Sequence, residues 1–158
     1  MTTYPGLNED FLDLLRALQE ADVQFLVVGA HALAVHGIVR ATGDLDCFVQ
    51  PTRDNAAKVF AALGAFGAPL ESHGISVEDF HKPGTIYQIG LPPRRIDVLT
   101  EISGVTFENA WKNHVTVEVE GLCLPFIGRS MLIQNKKASG RPKDLADLAS
   151  LEATPDVE

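Results

Sequence analysis

The sequence contains no apolar run approaching the ~20 residues a membrane-spanning helix needs, and its opening, MTTYPGLNEDF, lacks the basic start and apolar stretch of a secretory signal. Both absences predict a cytoplasmic protein without membrane contact. Cysteine is scarce, with Cys47 and Cys123 the only two. Neither has a second cysteine two or three positions away, which argues against a zinc knuckle or a disulfide framework. Each lies in an apolar, strand-like stretch and is expected to be a buried thiol. Positive charge is also short, with 13 Lys and Arg against 21 Asp and Glu for a formal charge of -8. Nonspecific adhesion to nucleic acid backbones depends on many Lys or Arg contacts, so that class of partner is disfavoured. A local basic pocket stays open. No internal repeat or low-complexity tract is visible.

What is present describes an ordinary globular chain. At 158 residues, 46% hydrophobic and 22% charged, it has the size and balance of one domain with a real core. The domain is expected to span residues 1–151, with EATPDVE (152–158) as a flexible acidic tail.

Asn8 is placed to cap a helix through EDFLDLLRALQEA, where Phe11, Leu14, Leu15 and Leu18 recur at helical spacing. VQFLVVG reads as a buried strand ending at Gly29. AHALAVHG reads as a helix of about two turns, stopped by Gly37. DLDCFVQ is the next strand, and TRDNAAKVFAALGAFG is a helix capped by Thr52 and bracketed by Pro51 and Gly67. Beyond residue 71 the signal weakens. TIYQIGLPPRRIDVLTEI predicts a hairpin around Pro92 and Pro93, and TFENAWKNH a short helix. VTVEVEGLCLPFIG predicts a second hairpin turning at Gly121, and SMLIQNKKAS and PKDLADLASLEA two closing helices split by Gly140. This mixture of hairpins and helices predicts an α+β fold, not a doubly wound α/β sheet.

The chemistry is expected where DLD opens its strand. Alternation puts Leu45, Cys47 and Val49 on one face and Asp44 and Asp46 on the other, ~7 Å apart at their Cα atoms. Asp97 in RRIDVLT points away from the core face that Ile96 and Val98 occupy, so it is the candidate third carboxylate. Three carboxylates on one face would raise one another's pKa unless a cation or nearby basic groups compensated. A hard cation such as Mg²⁺ prefers carboxylate oxygen, and paired-ion centres use such cradles. The plain alternative for Asp-x-Asp at a strand start is turn chemistry and solvation. Upstream, a strand ending at Gly29 runs at once into a helix, an arrangement that offers free N–H groups to a phosphate.

VVGAHALAVHGIVRATGDLD, then RIDVL, then IQNKKASGRPKDLADL together resemble the minimal nucleotidyltransferase superfamily related to DNA polymerase beta. The nearest branch in appearance is the abortive-infection nucleotidyltransferase toxins. The likeness covers roughly residues 23–50, 94–100 and 130–150. It implies a mixed β-sheet flanked by helices, with a C-terminal hairpin and helices. It further implies that Gly29 and Ala30 hold a nucleoside triphosphate, and that Asp44, Asp46 and Asp97 bind two Mg²⁺ ions and carry the catalysis. The family commonly has Ser or Gly where this chain has Ala30, which supplies no hydroxyl. The implied reaction moves a nucleoside monophosphate from the triphosphate to an acceptor hydroxyl on a small molecule, a protein side chain or an RNA 3′ end. The rival reading is a catalytically decayed member acting as a partner-binding module of the toxin–antitoxin type.

Arg40 and Thr42 lie in the connection before Asp44, where a guanidinium would clamp a triphosphate or pair with the carboxylates; the alternative for Arg40 is an ordinary surface arginine. The resemblance favours Lys136 as a further nucleotide contact, against pairing of the local cations with Asp144, Asp147 and the helix C-terminus. His31 and His36, five apart, do not match a zinc motif; His36 is expected to bond backbone or buttress the active-site strand. Trp111 is expected in the core.

Overall fold

The computed structural model describes residues 2–4, 6–39 and 43–154. In chain order the elements are β1 (Thr2–Thr3), α1 (Glu9–Glu20), β2 (Phe25–Val28), α2 (Gly29–Val35), β3 (Leu45–Val49) and α3 (Arg53–Phe66). A 3-10 turn (Val77–His81) follows, then β4 (Ile86–Ile89), β5 (Ile96–Leu99), α4 (Phe107–Lys112), β6 (Val115–Val119), β7 (Leu122–Phe126), α5 (Arg129–Ser139) and α6 (Pro142–Glu152). The fold is α+β, a mixed seven-stranded sheet in the order β1-β6-β7-β2-β3-β5-β4 with helices around it.

Local chemistry sets the helix ends. The Asn8 side chain accepts from the Phe11 N–H and the Thr52 side chain from the Asn55 N–H, which satisfies donors that a helix start leaves open. Gly67 and Gly140 end α3 and α5 in the left-handed conformation. The β6–β7 hairpin turns through Glu120 and Gly121, both at positive φ, the two-residue geometry that matches strand twist. Apolar side chains from the elements join one core in which Leu14, Leu26, Leu45, Val59, Val98 and Leu124 are fully enclosed.

Three pairings position the site. β2 and β3 are antiparallel with Val28 opposite Asp46, β3 and β5 are parallel with Asp46 opposite Asp97, and β4 pairs antiparallel with β5. Asn55 ties this region to α3. Its side chain accepts from the Gln24 N–H (2.8 Å) and donates to the Gln24 (3.0 Å) and Gln50 (2.9 Å) carbonyls at the ends of β2 and β3.

The expected helices and both hairpins are present. The 3-10 turn and the two-residue β1, which pairs parallel with β6, are additional. One expectation is corrected: Cys123 is exposed whereas Cys47 is buried, because Cys123 takes an outward-facing position in β7 while Leu124 and Phe126 take the core face. α6 carries one residue into the expected tail, at Glu152; residues 155–158 lie outside the described residues, as do Arg40 and Thr42. Among the described residues no helix is long and apolar enough to cross a membrane.

Candidate functional site: an acidic cleft at the head of two parallel strands

Side chains at register partners of neighbouring strands leave the sheet on the same side, so the pairing of Asp46 with Asp97 sets their carboxyls next to each other. Asp44 lies just before β3 and Arg95 just before β5, and the Leu45 N–H donates to the Arg95 carbonyl at 3.0 Å. The two strand heads are therefore clamped together with an aspartate on one and an arginine on the other. The Arg95 guanidinium donates to Asp44 Oδ2 at 2.5 Å and its Nε lies 3.2 Å from Asp97 Oδ1. One positive charge thus spans two of the three carboxylates.

Asp46 is left with the poorer environment. Its carboxyl is pushed up to about 7, first by burial, then by the negative charges of Asp97 and Asp44 and by a hydrogen bond to Asp97 that favours the protonated form, with Arg95 pulling only partly the other way. Next to it in β3, burial and then the charges of Asp46 and Asp97 push the Cys47 thiol up. That makes Cys47 an inert core residue.

Gly29 explains how Asp46 is accommodated. It opens α2 at φ +71°, and a β-carbon there would run into Oδ2 of Asp46. The glycine leaves space for the protein's own carboxylate as well as exposing backbone at the cleft wall. Gly29, Ala30, Leu33, Gly43, Asp44, Asp46, Pro92 and Arg95 line one side of a cleft of about 650 Å³. Lys136, Arg141, Lys143, Asp144 and Asp147 line the other.

That second wall is a charge cluster between α5 and α6. Lys136 is buried, with Nζ 3.2 Å from Asp144 Oδ1 and 3.4 Å from Asp147 Oδ2. Burial would raise the Asp144 carboxyl, but hydrogen bonds from Arg141, Ser139 and Lys136 outweigh it and hold the group well below the usual carboxylate range. Lys136 therefore lines the cleft and pairs with both aspartates at once. His36 is buried and its Nε2 lies 2.8 Å from the Ile127 carbonyl, the backbone role expected of it. His31 bonds the Tyr4 hydroxyl (2.8 Å). Trp111 is partly buried and stacked between Phe107 and His114.

Asp44, Asp46, Gly29, Ala30 and Lys136 all line this cleft, and Asp97 lies beside it, next to Asp46 and Arg95. Sequence reasoning missed Arg95. Its signal was the period-two spacing from Asp97, which puts both on one face, but RR after two prolines reads first as turn.

The donor set fits a hard divalent cation in kind: neighbouring carboxylates, one of them driven toward protonation first by burial and then by its neighbours' negative charge, and Asp97 Oδ1 buried without a hydrogen-bond donor. Among the described residues, however, no three His, Cys, Asp or Glu side chains are gathered to hold a metal ion. Arg95 lies among the carboxylates where such a gathering would form.

No protein-family model matches the chain, and no curated protein matches it. Fold and site define an α+β protein with a charged cleft in which an arginine bridges two aspartates.

Proposed function

We propose that the protein is a Mg²⁺-dependent nucleotidyltransferase, moving a nucleoside monophosphate from a triphosphate to an acceptor hydroxyl. The observation that carries the reading is the side-by-side register of Asp46 and Asp97 on parallel strands, with Asp44 and Asp46 lining the cleft and Arg95 linking Asp44 to Asp97. Asp44, Asp46 and Asp97 would hold the cations, which when bound supply charge stabilisation to the entering and leaving oxygens of an in-line displacement. Asp97, opposite Asp46 on the neighbouring strand, accepts the proton of the acceptor hydroxyl. The hydroxyl oxygen bonds to the α-phosphorus as the bond to the bridging oxygen breaks, and pyrophosphate departs. The cationic wall of Lys136, Arg141 and Lys143 faces the polyphosphate. Lys136 is held there by Asp144 and Asp147, so little conformational freedom is lost when a phosphate arrives.

Incubation of the purified protein with each labelled nucleoside triphosphate, Mg²⁺ and cell extract should move label onto an acceptor. Asp46→Asn and Asp97→Asn should each reduce transfer by more than ~100-fold. Transfer unchanged in both variants would overturn the assignment.

Ala30 favours a second reading, in which a decayed site serves as a partner-binding module, because the residue after Gly29 offers no hydroxyl to a phosphate or a metal. Calorimetry separates the two: a decayed module gives flat traces with Mg²⁺ and with a nonhydrolysable triphosphate.

A further inference from the structure

We propose that Arg95 is an internal counter-cation. Its guanidinium pairs with Asp44 and Asp97, must give way when a divalent ion enters, and then joins the phosphate-facing side of the cleft. The proposal rests on the reading of the cleft as a metal and triphosphate site.

The geometry points to exchange for three reasons. Arg95 contacts Asp44 and Asp97 together, so an ion shared by those carboxylates and the guanidinium compete for the same oxygens. The second contact is imperfect: Nε and Oδ1 are 3.2 Å apart, yet both are buried without a hydrogen-bond partner. An ion pair of that kind gives little to replace its lost hydration, so its loss to a metal ion costs less than that of an aligned fork. Finally, the side chain is 30% exposed and lines the cleft, so it has somewhere to turn.

Two of the other cations lining the cleft are engaged elsewhere. Lys136 is held between Asp144 and Asp147, and Arg141 is on Asp144. Among the described residues Arg95 is the cation that contacts the aspartates, reaching Asp44 and Asp97, and one positive charge against three carboxylates leaves room for a divalent ion to do better. A planar fork matches phosphate oxygens as well as it matches carboxylates, so a displaced Arg95 has a natural second partner.

Exchange predicts opposite signs for two binding constants. In Arg95→Gln, Mg²⁺ measured alone by calorimetry should bind ~10-fold more tightly, because its competitor is gone. A nonhydrolysable nucleoside triphosphate at saturating Mg²⁺ should bind ~10-fold more weakly, because one phosphate partner is gone. Arg95→Lys, which keeps the charge without the fork, should fall between wild type and Arg95→Gln in both. An arginine that merely braces the fold would weaken both together, and that result with a wild type that binds both ligands overturns the exchange while leaving the nucleotidyltransferase reading intact. A wild type and a variant that both bind neither ligand overturn the two readings together. Should Arg95→Gln fail to fold, the wild-type protein carries the test: the Arg95 side-chain Nε resonance must shift as Mg²⁺ is added, and an unmoved resonance at saturation overturns the proposal.

Discussion

Gly29 and Asp46 are coupled by space rather than by a bond. Two costs of Gly29→Ala can be separated: an alanine at φ +71° pays ~1–2 kcal/mol for the left-handed backbone, and its methyl group must also push the Asp46 carboxylate aside. Urea denaturation should show Gly29→Ala less stable by ~2–4 kcal/mol in wild type but by only ~1–2 kcal/mol in an Asp46→Ala background, where the collision is gone. An equal cost in both backgrounds would remove the contact from the account. Asp97 was legible at this scale because alternation with Ile96 and Val98 dictates its face. The partner of Gly29 was not, since nothing local says that the atoms approaching that glycine belong to a residue seventeen positions later and not to a ligand. Arg95 was missed for a related reason. Its meaning depends on Asp44 standing beside it, and that follows from the β3–β5 register.

At the scale of elements, short-range physics was well written into the chain. Asn8 and Thr52 cap α1 and α3 as their positions before amphipathic runs suggested, and Gly67 and Gly140 stop their helices. The 3-10 turn at Val77–His81 was illegible because five residues set by a Ser76–Asp79 capping box show no hydrophobic period. β1 is two residues long and exists only through its pairing with β6. Between elements, Asn55 does what propensity cannot foresee: a polar residue on the buried face of α3, 3% exposed, bonds backbone groups of Gln24 and Gln50. Asn55→Ala removes the side-chain partner of the Gln24 N–H and the Gln50 carbonyl, while the Gln24 carbonyl keeps its bond from the Gln50 N–H, and should cost ~1–3 kcal/mol in urea denaturation. Lys58→Ala on the same helix removes only an exposed pair with Asp54 and should change stability by less than ~0.5 kcal/mol. Similar costs for the two would show that Asn55 does not join α3 to the strand ends.

For the whole molecule, the sheet order was the least legible feature, because β7 beside β2 and β3 beside β5 are parallel neighbours brought together across long stretches of chain. That order nevertheless sets how the protein responds to pH, by stacking carboxylates on one face. Asp46 titrates near 7 in the folded chain against 3.8 for the free group, so between those values the native state keeps a proton that the unfolded chain has lost. Its contribution to stability is complete below pH 3.8, declines as pH rises and is gone above 7, a total of at most about 4 kcal/mol. Buried His31 opposes it: burial lowers its pKa from 6.5, so its contribution is present above 6.5 and is lost as pH falls through the folded value. Asp144 acts further down, stabilising above 3.8 and losing that contribution only in stronger acid. Asp46 has the widest span of the three between pH 4 and 7, so the metal-free protein should grow less stable to urea across that window. Asp46→Asn should reverse the slope, following His31, and at pH 8 should be more stable than wild type by ~2–4 kcal/mol. The same substitution that should abolish transfer is thus expected to strengthen the fold, as when a site holds like charges close together against their repulsion. Parallel pH profiles for the two proteins in the presence of EDTA would mean that Asp46 is not held against its neighbours' charge, and the crowded-carboxylate description of the cleft would fail with it.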